Sequence, residues 1–217
     1  MSAEPTLVTA RHFRYIAERT TREDAFLRDL RAAATAAGIP AIWICPEEAA
    51  FLQVLLRVRG AADVVEVGTL AGYSAIWLAR ALPERGRLRT IEIEPKHADF
   101  AEEWIARSDV AGRVTVRRGD AGRVLPTFAD GSADAAFLDA DKAGYGRYLD
   151  ECHRILRPGG LVMVDNAFAF GQLFDERPSD REAPAVQAFN ERMAEDRRFQ
   201  SVIVPLGDGV WVGVRRQ

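Results

Sequence analysis

The sequence has few of the residues on which several common protein classes depend. Only Cys45 and Cys152 carry a thiol, and they lie far apart in the 217-residue chain without forming a CxxC pair. Their scarcity excludes a disulfide-rich scaffold and indicates a reduced, cytoplasmic protein. No segment approaches the roughly 18 consecutive apolar residues of a membrane span, and the charged first twenty residues lack the apolar core of a signal peptide.

Lysine is also scarce. Of the 29 lysine and arginine residues only Lys96 and Lys142 are lysines, which leaves 27 arginines, and the net charge of −3 gives no excess of positive charge for a nucleic-acid partner. Arginine keeps its proton in a protein, whereas a desolvated lysine is able to release it. A lysine retained among acids therefore indicates a titratable amine.

The chain divides into a helical part and an alternating part. Helical spacing predicts helices over 23–38 and 46–60, and beyond residue 61 short apolar runs alternate with helical stretches. Such alternation is typical of a parallel sheet with helices on both faces. The candidate strands read DVVEVG, RLRTIEIE, RVTVRRG, ADAAFLDA and GLVMVDN, and two later runs joined by GDG predict an antiparallel hairpin.

We therefore expect an α/β fold, a Rossmann-like doubly wound sheet of about seven strands that is mostly parallel and ends in an antiparallel hairpin. The whole chain, 1–217, is predicted to form a single domain. Its N-terminal helices (1–60) would cover an active site built on an α/β core (61–217). In such sheets ligands bind beyond the carboxyl ends of the strands, so the residues that follow each strand are the candidates for function.

The first strand ends in a glycine-containing turn. Gly68 and Gly72 allow a tight turn before a helix N-terminus, which suits either a nucleotide-like ligand or a simple strand-to-helix connection. Their spacing is not GxGxxG, which argues against a dinucleotide. Glu66 lies inside the apolar run, where an unpaired carboxylate is costly. It needs a cationic or hydrogen-bonding partner, which a ligand that bears an ammonium group would supply.

The next two strand ends add acids suited to an adenosine ligand. Glu92 and Glu94 share one face of the second strand, and either is able to accept hydrogen bonds from a ribose. Asp120, followed by Ala121, ends the third strand and suits an adenine amine, although an aspartate there would also serve as an ordinary helix cap.

The fourth and fifth strands end in oxygen ligands. Asp139 follows one strand, and Asp165 and Asn166 follow the next, so neighbouring strands would bring two carboxylates and an amide oxygen together. That donor set suits Mg²⁺ or a similar hard cation, although Asp165 and Asn166 are also common turn residues. The three histidines, at positions 12, 97 and 153, all fall in predicted helices away from the strand ends, which argues against a zinc-type site.

Three segments resemble the cation-dependent O-methyltransferases, a group that includes the caffeoyl-CoA and catechol types and many bacterial relatives. They are VVEVGTLAGYSAIWLARALP, FLDADKAGYGRYLDECHRILRPGGLVMVDNAFAFG and FNERMAEDRRFQSVIVPLGDGV, and the likeness runs from about Phe51 to the C-terminus. The resemblance implies S-adenosylmethionine, a divalent cation (Mg²⁺, with Mn²⁺ or Ca²⁺ as alternatives), a small vicinal-dihydroxy aromatic acceptor and a homodimer.

The resemblance also implies roles for individual residues. The cofactor would be bound by Glu66, Gly68, Thr69, Ser74, Glu92 (rather than Glu94), Asp120, Ala121, Asp139 and Asp141. Asp139, Asp165 and Asn166 would hold the metal, and Lys142 would be the general base beside Asp139. Trp43, Lys142, Asn166 and Phe168 would contact the substrate, while Tyr148 is expected to belong to the core.

Two departures from the family pattern concern the acceptor. Family members often have Gln-Gly near the start of the third helix, where this chain has Glu48-Ala49-Ala50, and the tryptophan common after the metal motif is missing. A catechol, a phenylpropanoid thioester, a flavonoid and a natural-product intermediate all stay open as acceptors.

Two other functions stay open from the residues alone. One is a nicotinamide-dependent oxidoreductase on a similar sheet, against which the missing GxGxxG motif and the clustered oxygen ligands argue. The other is a non-catalytic module that binds the cofactor. Lys142 also has an alternative interpretation of its own, as an ordinary surface lysine at a helix start, which is what Lys96 is expected to be.

Overall fold

The centre of the computed structural model, which describes residues 8–217, is a seven-stranded sheet in the order β3-β2-β1-β4-β5-β7-β6. The first five strands are mutually parallel, and β7 pairs antiparallel with both β5 and β6. The predicted mostly parallel doubly wound sheet with a C-terminal antiparallel hairpin is therefore confirmed. The strands are β1 (Asp63–Val67), β2 (Arg87–Glu92), β3 (Val114–Arg118), β4 (Ala133–Leu138), β5 (Leu156–Val164), β6 (Phe199–Val204) and β7 (Val210–Arg215).

Helices cover both faces of this sheet. They are α1 (Ala10–Ala17), α2 (Ala25–Ala36), α3 (Pro46–Arg59), α4 (Tyr73–Ala81), α5 (Pro95–Ala106), the single turn α6 (Ala121–Val124), α7 (Tyr145–Ile155) and α8 (Ala183–Glu195). Short 3₁₀ turns occupy Leu125–Thr127, Lys142–Gly144 and Ala169–Gly171.

Alternation along the central strands produces two apolar cores. Val64 of β1 and Phe137 of β4 pack with α2, α3, α4 and α5 on one face. Val65 and Leu138, one residue further along the same strands, pack with α7 and α8 on the other face. All six residues of β4 are buried, because successive side chains point to opposite faces and both faces are covered.

The boundary between α7 and β5 differs from the prediction. The strand begins at Leu156 instead of Gly160, and its pairing with β4 is irregular between Ala133 and Ala135. The helix ends at Ile155 because Pro158 follows shortly after and disfavours helical backbone in the residue before it. The sequence patterns also did not predict α8 as a separate helix, although its buried residues Val186, Phe189 and Met193 recur at helical spacing.

Both cysteines are free thiols, and Cys152 is fully buried. Within residues 8–217, no helix combines the length and the apolarity that crossing a bilayer requires.

Candidate active site

A cavity of about 770 Å³ lies at the carboxyl edge of the sheet, where the ends of β1 to β5 meet. Residues 42–48, which lead into α3, and the turn between β6 and β7 complete its wall. Every predicted site residue lines this cavity except Glu66 and Phe168. The residues brought together are Trp43, Gly68, Thr69, Ser74, Glu92, Asp120, Ala121, Asp139, Asp141, Lys142, Asp165 and Asn166.

The turn after β1 is shaped by two glycines. Gly68 has a φ of +102°, and a Cβ at this position would overlap the backbone carbonyl of Asp139 at the end of β4. Gly72 has a φ of +83° and precedes α4, whose first turn contains Ser74. The glycines therefore let the turn lie directly on the neighbouring strand while the N-terminus of α4 faces the cavity.

Glu66 is completely buried behind this turn. The side chain is 0% exposed, and neither carboxylate oxygen meets a donor at bonding distance and angle among the described residues. Burial raises the pKa of Glu66 to about 7, an effect that the nearby Thr90 and Ser74 hydroxyls partly offset. The hydroxyl of Thr90 is itself paired with that of Thr69 at 2.6 Å. A carboxylate that forms no ion pair within residues 8–217 thus lies directly behind the cavity wall.

The structure distinguishes Glu92 from Glu94, which the sequence pattern could not rank. Glu92 is buried at the end of β2, and its two oxygens accept hydrogen bonds of 2.8 Å from the backbone N–H groups of Leu70 and Glu94. Glu94 is exposed and caps α5. The expectation that the histidines lie away from the strand ends is wrong for His97. This residue lines the cavity, with its ring nitrogen 3.8 Å from Glu92, because α5 begins shortly after β2 ends.

Asp120 follows β3 and leaves its carboxylate free of the helix it precedes. The side chain makes no capping hydrogen bond to α6, so the alternative role as an ordinary cap is not supported. Its nearest cation is the guanidinium of Arg147 at 3.9 Å. The carboxylate therefore remains directed to the cavity beside Ala121.

Lys142 is a buried lysine and not a surface residue. It is 5% exposed, and its Nζ donates to Asp139 Oδ1 at 2.9 Å and to the hydroxyl of Tyr145 at 2.8 Å. The backbone N–H of Lys142 donates to Glu182 at 3.1 Å. Lys96, by contrast, is exposed on α5, as predicted. The ammonium group is thus held at the end of β4 by a carboxylate and a phenol.

Asp141, in the same loop, is held by a different tyrosine, Tyr148 of α7. Its Oδ1 accepts a hydrogen bond of 2.6 Å from the hydroxyl of Tyr148. Tyr148 is buried, as expected for a core residue, yet it also lines the cavity. An α7 side chain that packs in the core therefore sets the orientation of a carboxylate in the site.

The end of β5 supplies a buried acid and an amide residue with a left-handed backbone. Asp165 is buried, and burial together with the neighbouring charge of Asp139 raises its pKa to about 7. Asn166 has a φ of +66° and donates to Asp208 Oδ2 at 3.3 Å from its side-chain amide. The left-handed backbone, uncommon outside glycine, turns this amide toward the cavity.

Comparison of the sequence with known protein families agrees with this geometry. A model of the O-methyltransferase family matches residues 17–216. The chain belongs to the O-methyltransferase family. It is similar to a protein from Niastella koreensis named catechol O-methyltransferase, with 36% identity over 88% of each chain.

Solved structures of family members superimpose on nearly the whole chain. An O-methyltransferase from Bacillus cereus in complex with SAH matches with a TM-score of 0.85 and 31% identity, over 95% of this chain and 97% of that one. The O-methyltransferase TomG from Streptomyces achromogenes, in complex with SAM and involved in tomaymycin synthesis, matches with a TM-score of 0.83 and 31% identity, over 95% and 96%. These likenesses confirm the predicted enzyme class and favour methyl transfer over nicotinamide chemistry.

The acid cluster of this O-methyltransferase suits a hard cation by its chemistry. The charge of Asp139 makes ionisation of Asp165 more costly, and Asn166 adds an amide oxygen. Within residues 8–217, no three acidic, histidine or cysteine side chains already stand in a ligand arrangement. Asp139 is instead paired with Lys142, and Asp165 accepts a 2.6 Å bond from the Asn166 N–H. The donor set therefore fits a divalent cation. On binding, the cation would replace Lys142 as the partner of Asp139 and the Asn166 N–H as the partner of Asp165.

Sequence reasoning missed an acid that enters from α3. Glu48 is 1% exposed and lines the cavity, and one of its oxygens, Oε1, has no hydrogen-bond partner among the described residues. Burial and the facing charges of Asp165, Asp139 and Asp208 raise its pKa well above the ordinary value. The departure at Glu48-Ala49-Ala50 marked this segment, but only the packing of α3 against the sheet places the side chain in the site.

The aromatic wall differs in one position from the prediction. Trp43 lines the cavity, half-buried, with the guanidinium of Arg31 5.0 Å from its ring. Phe168 does not line it, because its backbone N–H bonds to the carbonyl of Asp208 and its ring packs over Gly209. Phe170 lines the cavity in its place, in a left-handed conformation with a φ of +58°.

Proposed function

We propose that this enzyme transfers the methyl group of S-adenosylmethionine to one hydroxyl of a vicinal-dihydroxy aromatic molecule, with the help of a divalent cation, Mg²⁺ or alternatively Mn²⁺ or Ca²⁺. The observation that carries the proposal is a single cavity that joins acids at the ends of β2 and β3 to a buried lysine among oxygen ligands at the ends of β4 and β5. The bound SAH and SAM of the family members and the name of the Niastella relative support it.

The half of the cavity beside β1, β2 and β3 suits the cofactor. Glu92 offers oxygens for the ribose hydroxyls, and Asp120 suits the adenine amine. Glu66 lies just behind this wall, at the end of β1, and its buried carboxylate would attract the ammonium of the methionine part. Gly68, Thr69 and Ser74 complete this half with the N-terminus of α4, and Asp141, oriented by Tyr148, borders it.

The half beside β4 and β5 suits the cation and the acceptor. Asp139, Asp165 and Asn166 would hold the cation, and Trp43 and Phe170 would contact the aromatic ring. When bound, the cofactor supplies an electrophilic methyl group, and the cation orients two vicinal oxygens and lowers the pKa of the one that attacks.

Lys142 would remove the proton of the attacking hydroxyl. Its present partner, Asp139, is also a proposed cation ligand, so Lys142 loses part of its ion pair when that carboxylate coordinates. The amine stays close to the same oxygens because Tyr145 still holds it. Lys142, as the neutral amine, would accept the hydroxyl proton, while the methyl group would pass from the sulfonium to the oxygen and leave a neutral thioether.

The test compares methyl transfer to catechols by wild type, Lys142→Ala and Lys142→Arg, with Mg²⁺ and with EDTA. Loss of the proton acceptor should lower kcat by about a hundredfold or more in both Lys142 variants, because arginine keeps the charge but not the ability to accept a proton. Lys96→Ala is the matched control, since it removes the chain's other lysine from an exposed helix position. Full activity of wild type in EDTA would refute the cation requirement. Tight binding of S-adenosylmethionine without transfer to any catechol would indicate a non-catalytic module.

A further inference from the structure

Glu48 is a buried carboxylate at the acceptor end of the cavity. It lies in the first turn of α3, two residues after Pro46, which begins the helix. Its side chain is 1% exposed, and Oε1 has no hydrogen-bond partner within residues 8–217. A partly unsatisfied carboxylate in the protein interior is costly, so its position requires a compensating charge or donor.

A second segment is shaped to accommodate this carboxylate. Gly207, in the turn between β6 and β7, has a φ of +58°, and a Cβ there would overlap Glu48 Oε2. A side chain at position 207 would therefore displace the carboxylate from the cavity. Glu48 and Gly207, which are 159 residues apart in the sequence, thus lie in contact in the fold.

The charges that surround Glu48 are negative. Asp139, Asp165 and Asp208 face it. The single lysine in the cavity wall, Lys142, already donates to Asp139 and to Tyr145. None of the arginines within residues 8–217 lines the cavity. The described part of the protein therefore supplies no cation for this carboxylate, and its neighbours increase the need for one.

We propose that Glu48 is a further carboxylate ligand of the divalent cation, contributed by α3 in addition to the ligands at the ends of β4 and β5. This inference rests on the cation dependence proposed above. Binding through Glu48 ties the N-terminal helices to the sheet at the point where the acceptor enters. The cation would then strengthen the wall formed by residues 42–48 as well as orient the acceptor.

The variant Glu48→Gln tests the proposal, because it keeps the shape of the side chain and removes its charge. Glu47→Gln is the matched control: Glu47 is the preceding residue on the same helix turn, but it faces a separate surface groove with Ile16 and Phe51. Titration calorimetry with Mn²⁺ in the presence of SAH should show an affinity about tenfold or more weaker for Glu48→Gln and unchanged for Glu47→Gln.

Thermal unfolding provides a readout independent of catalysis. Without metal, Glu48→Gln should melt at the same temperature as wild type or higher, because glutamine keeps the shape of the side chain and breaks no salt bridge. With Mn²⁺, wild type should gain more in Tm than the variant does. A residue with a merely structural role would instead lower the Tm without changing the gain from Mn²⁺.

Three outcomes would overturn the inference. Equal Mn²⁺ affinity of wild type and Glu48→Gln would remove Glu48 from the cation site and leave the proposed function standing. An equal gain in Tm from Mn²⁺ in both proteins would do the same. Wild type that binds no Mn²⁺ and methylates fully in EDTA would refute both. Should Glu48→Gln fail to fold, Glu48→Asp, which keeps the charge but shortens the side chain, serves for the same affinity comparison.

Discussion

Glu66 illustrates how one residue is able to link cofactor binding to pH. In the free protein its pKa is raised to about 7 because the carboxylate is completely buried. A ligand ammonium placed beside it would favour the ionised form and lower that pKa again. Binding then releases a proton whenever the solution pH lies below about 7, so the affinity falls as the solution becomes more acidic.

We therefore expect wild type to bind SAH about eightfold more weakly at pH 6 than at pH 7.5, as the linkage of one proton to a group of pKa about 7 requires. Glu66→Gln should bind weakly at both values, with little dependence on pH, because the amide does not titrate. Calorimetry across this range measures both effects. If Glu66→Gln bound SAH as tightly as wild type, the carboxylate would have no part in the cofactor site.

At the scale of an element, the turn between β1 and α4 couples the stability of the fold to the shape of the site. Its position requires Gly68, because any side chain there collides with the backbone at the end of β4, where Asp139 also donates its N–H to Val67 at 2.9 Å. The turn is thus a contact between two strand ends and not only a connection between β1 and a helix. A change there should affect stability and the site together.

Gly68→Ala should lower the free energy of unfolding by about 3 kcal/mol, the sum of overpacking and an unfavourable φ. The matched control is Gly60→Ala at the end of α3, where φ is +67° but the methyl carbon that alanine would add meets no atom of another part of the chain within 4 Å. That control should cost only about 1 kcal/mol, the backbone contribution alone. Urea denaturation measures both values. Equal losses in the two variants would show that the collision is relieved at no cost.

Comparison of elements also shows what the sequence was able to predict. The strands and the acids that follow them were predictable, because alternation and apolar runs locate a strand end within a residue or two and all parallel strands end at one edge. Asp139, Asp165 and Asn166 meet for that reason. Glu48 and His97 were not predicted in the site, because they reach it from helices whose packing angle no local pattern encodes.

At the scale of the molecule, the cavity wall differs in charge from the rest of the described chain. The arginines of the described chain lie outside the cavity wall, where several join elements through ion pairs, such as Arg157 of β5 with Asp134 of β4 and Arg192 of α8 with Asp150 of α7. The acceptor half of the cavity carries acids instead. They are Glu48, Asp139, Asp165, Asp180, Glu182 and Asp208. One cation and Lys142 would neutralise only part of this charge, so the field around the acceptor stays negative.

The sign of this field leads to a prediction about the acceptor. Among catechols that differ only in a two-carbon side chain, the enzyme should favour dopamine over neutral 4-ethylcatechol, and 4-ethylcatechol over 3,4-dihydroxyphenylacetate. We expect about tenfold in kcat/KM between the charged extremes, the size of a single screened charge interaction. A thioester of coenzyme A, which carries several phosphate charges, should be a poor acceptor for the same reason.

Asp180 allows the electrostatic origin of this preference to be tested. It lines the cavity at the rim, whereas Asp175, on the same segment, is exposed and outside the wall. Asp180→Asn should reduce the preference for the amine over the carboxylate, Asp175→Asn should leave it unchanged, and added salt should weaken it in wild type. Two outcomes would contradict this prediction: a preference for the carboxylate, or a preference that changes neither with salt nor with Asp180→Asn. Either would mean that ring contacts with residues such as Trp43, and not the surrounding charge, select the acceptor.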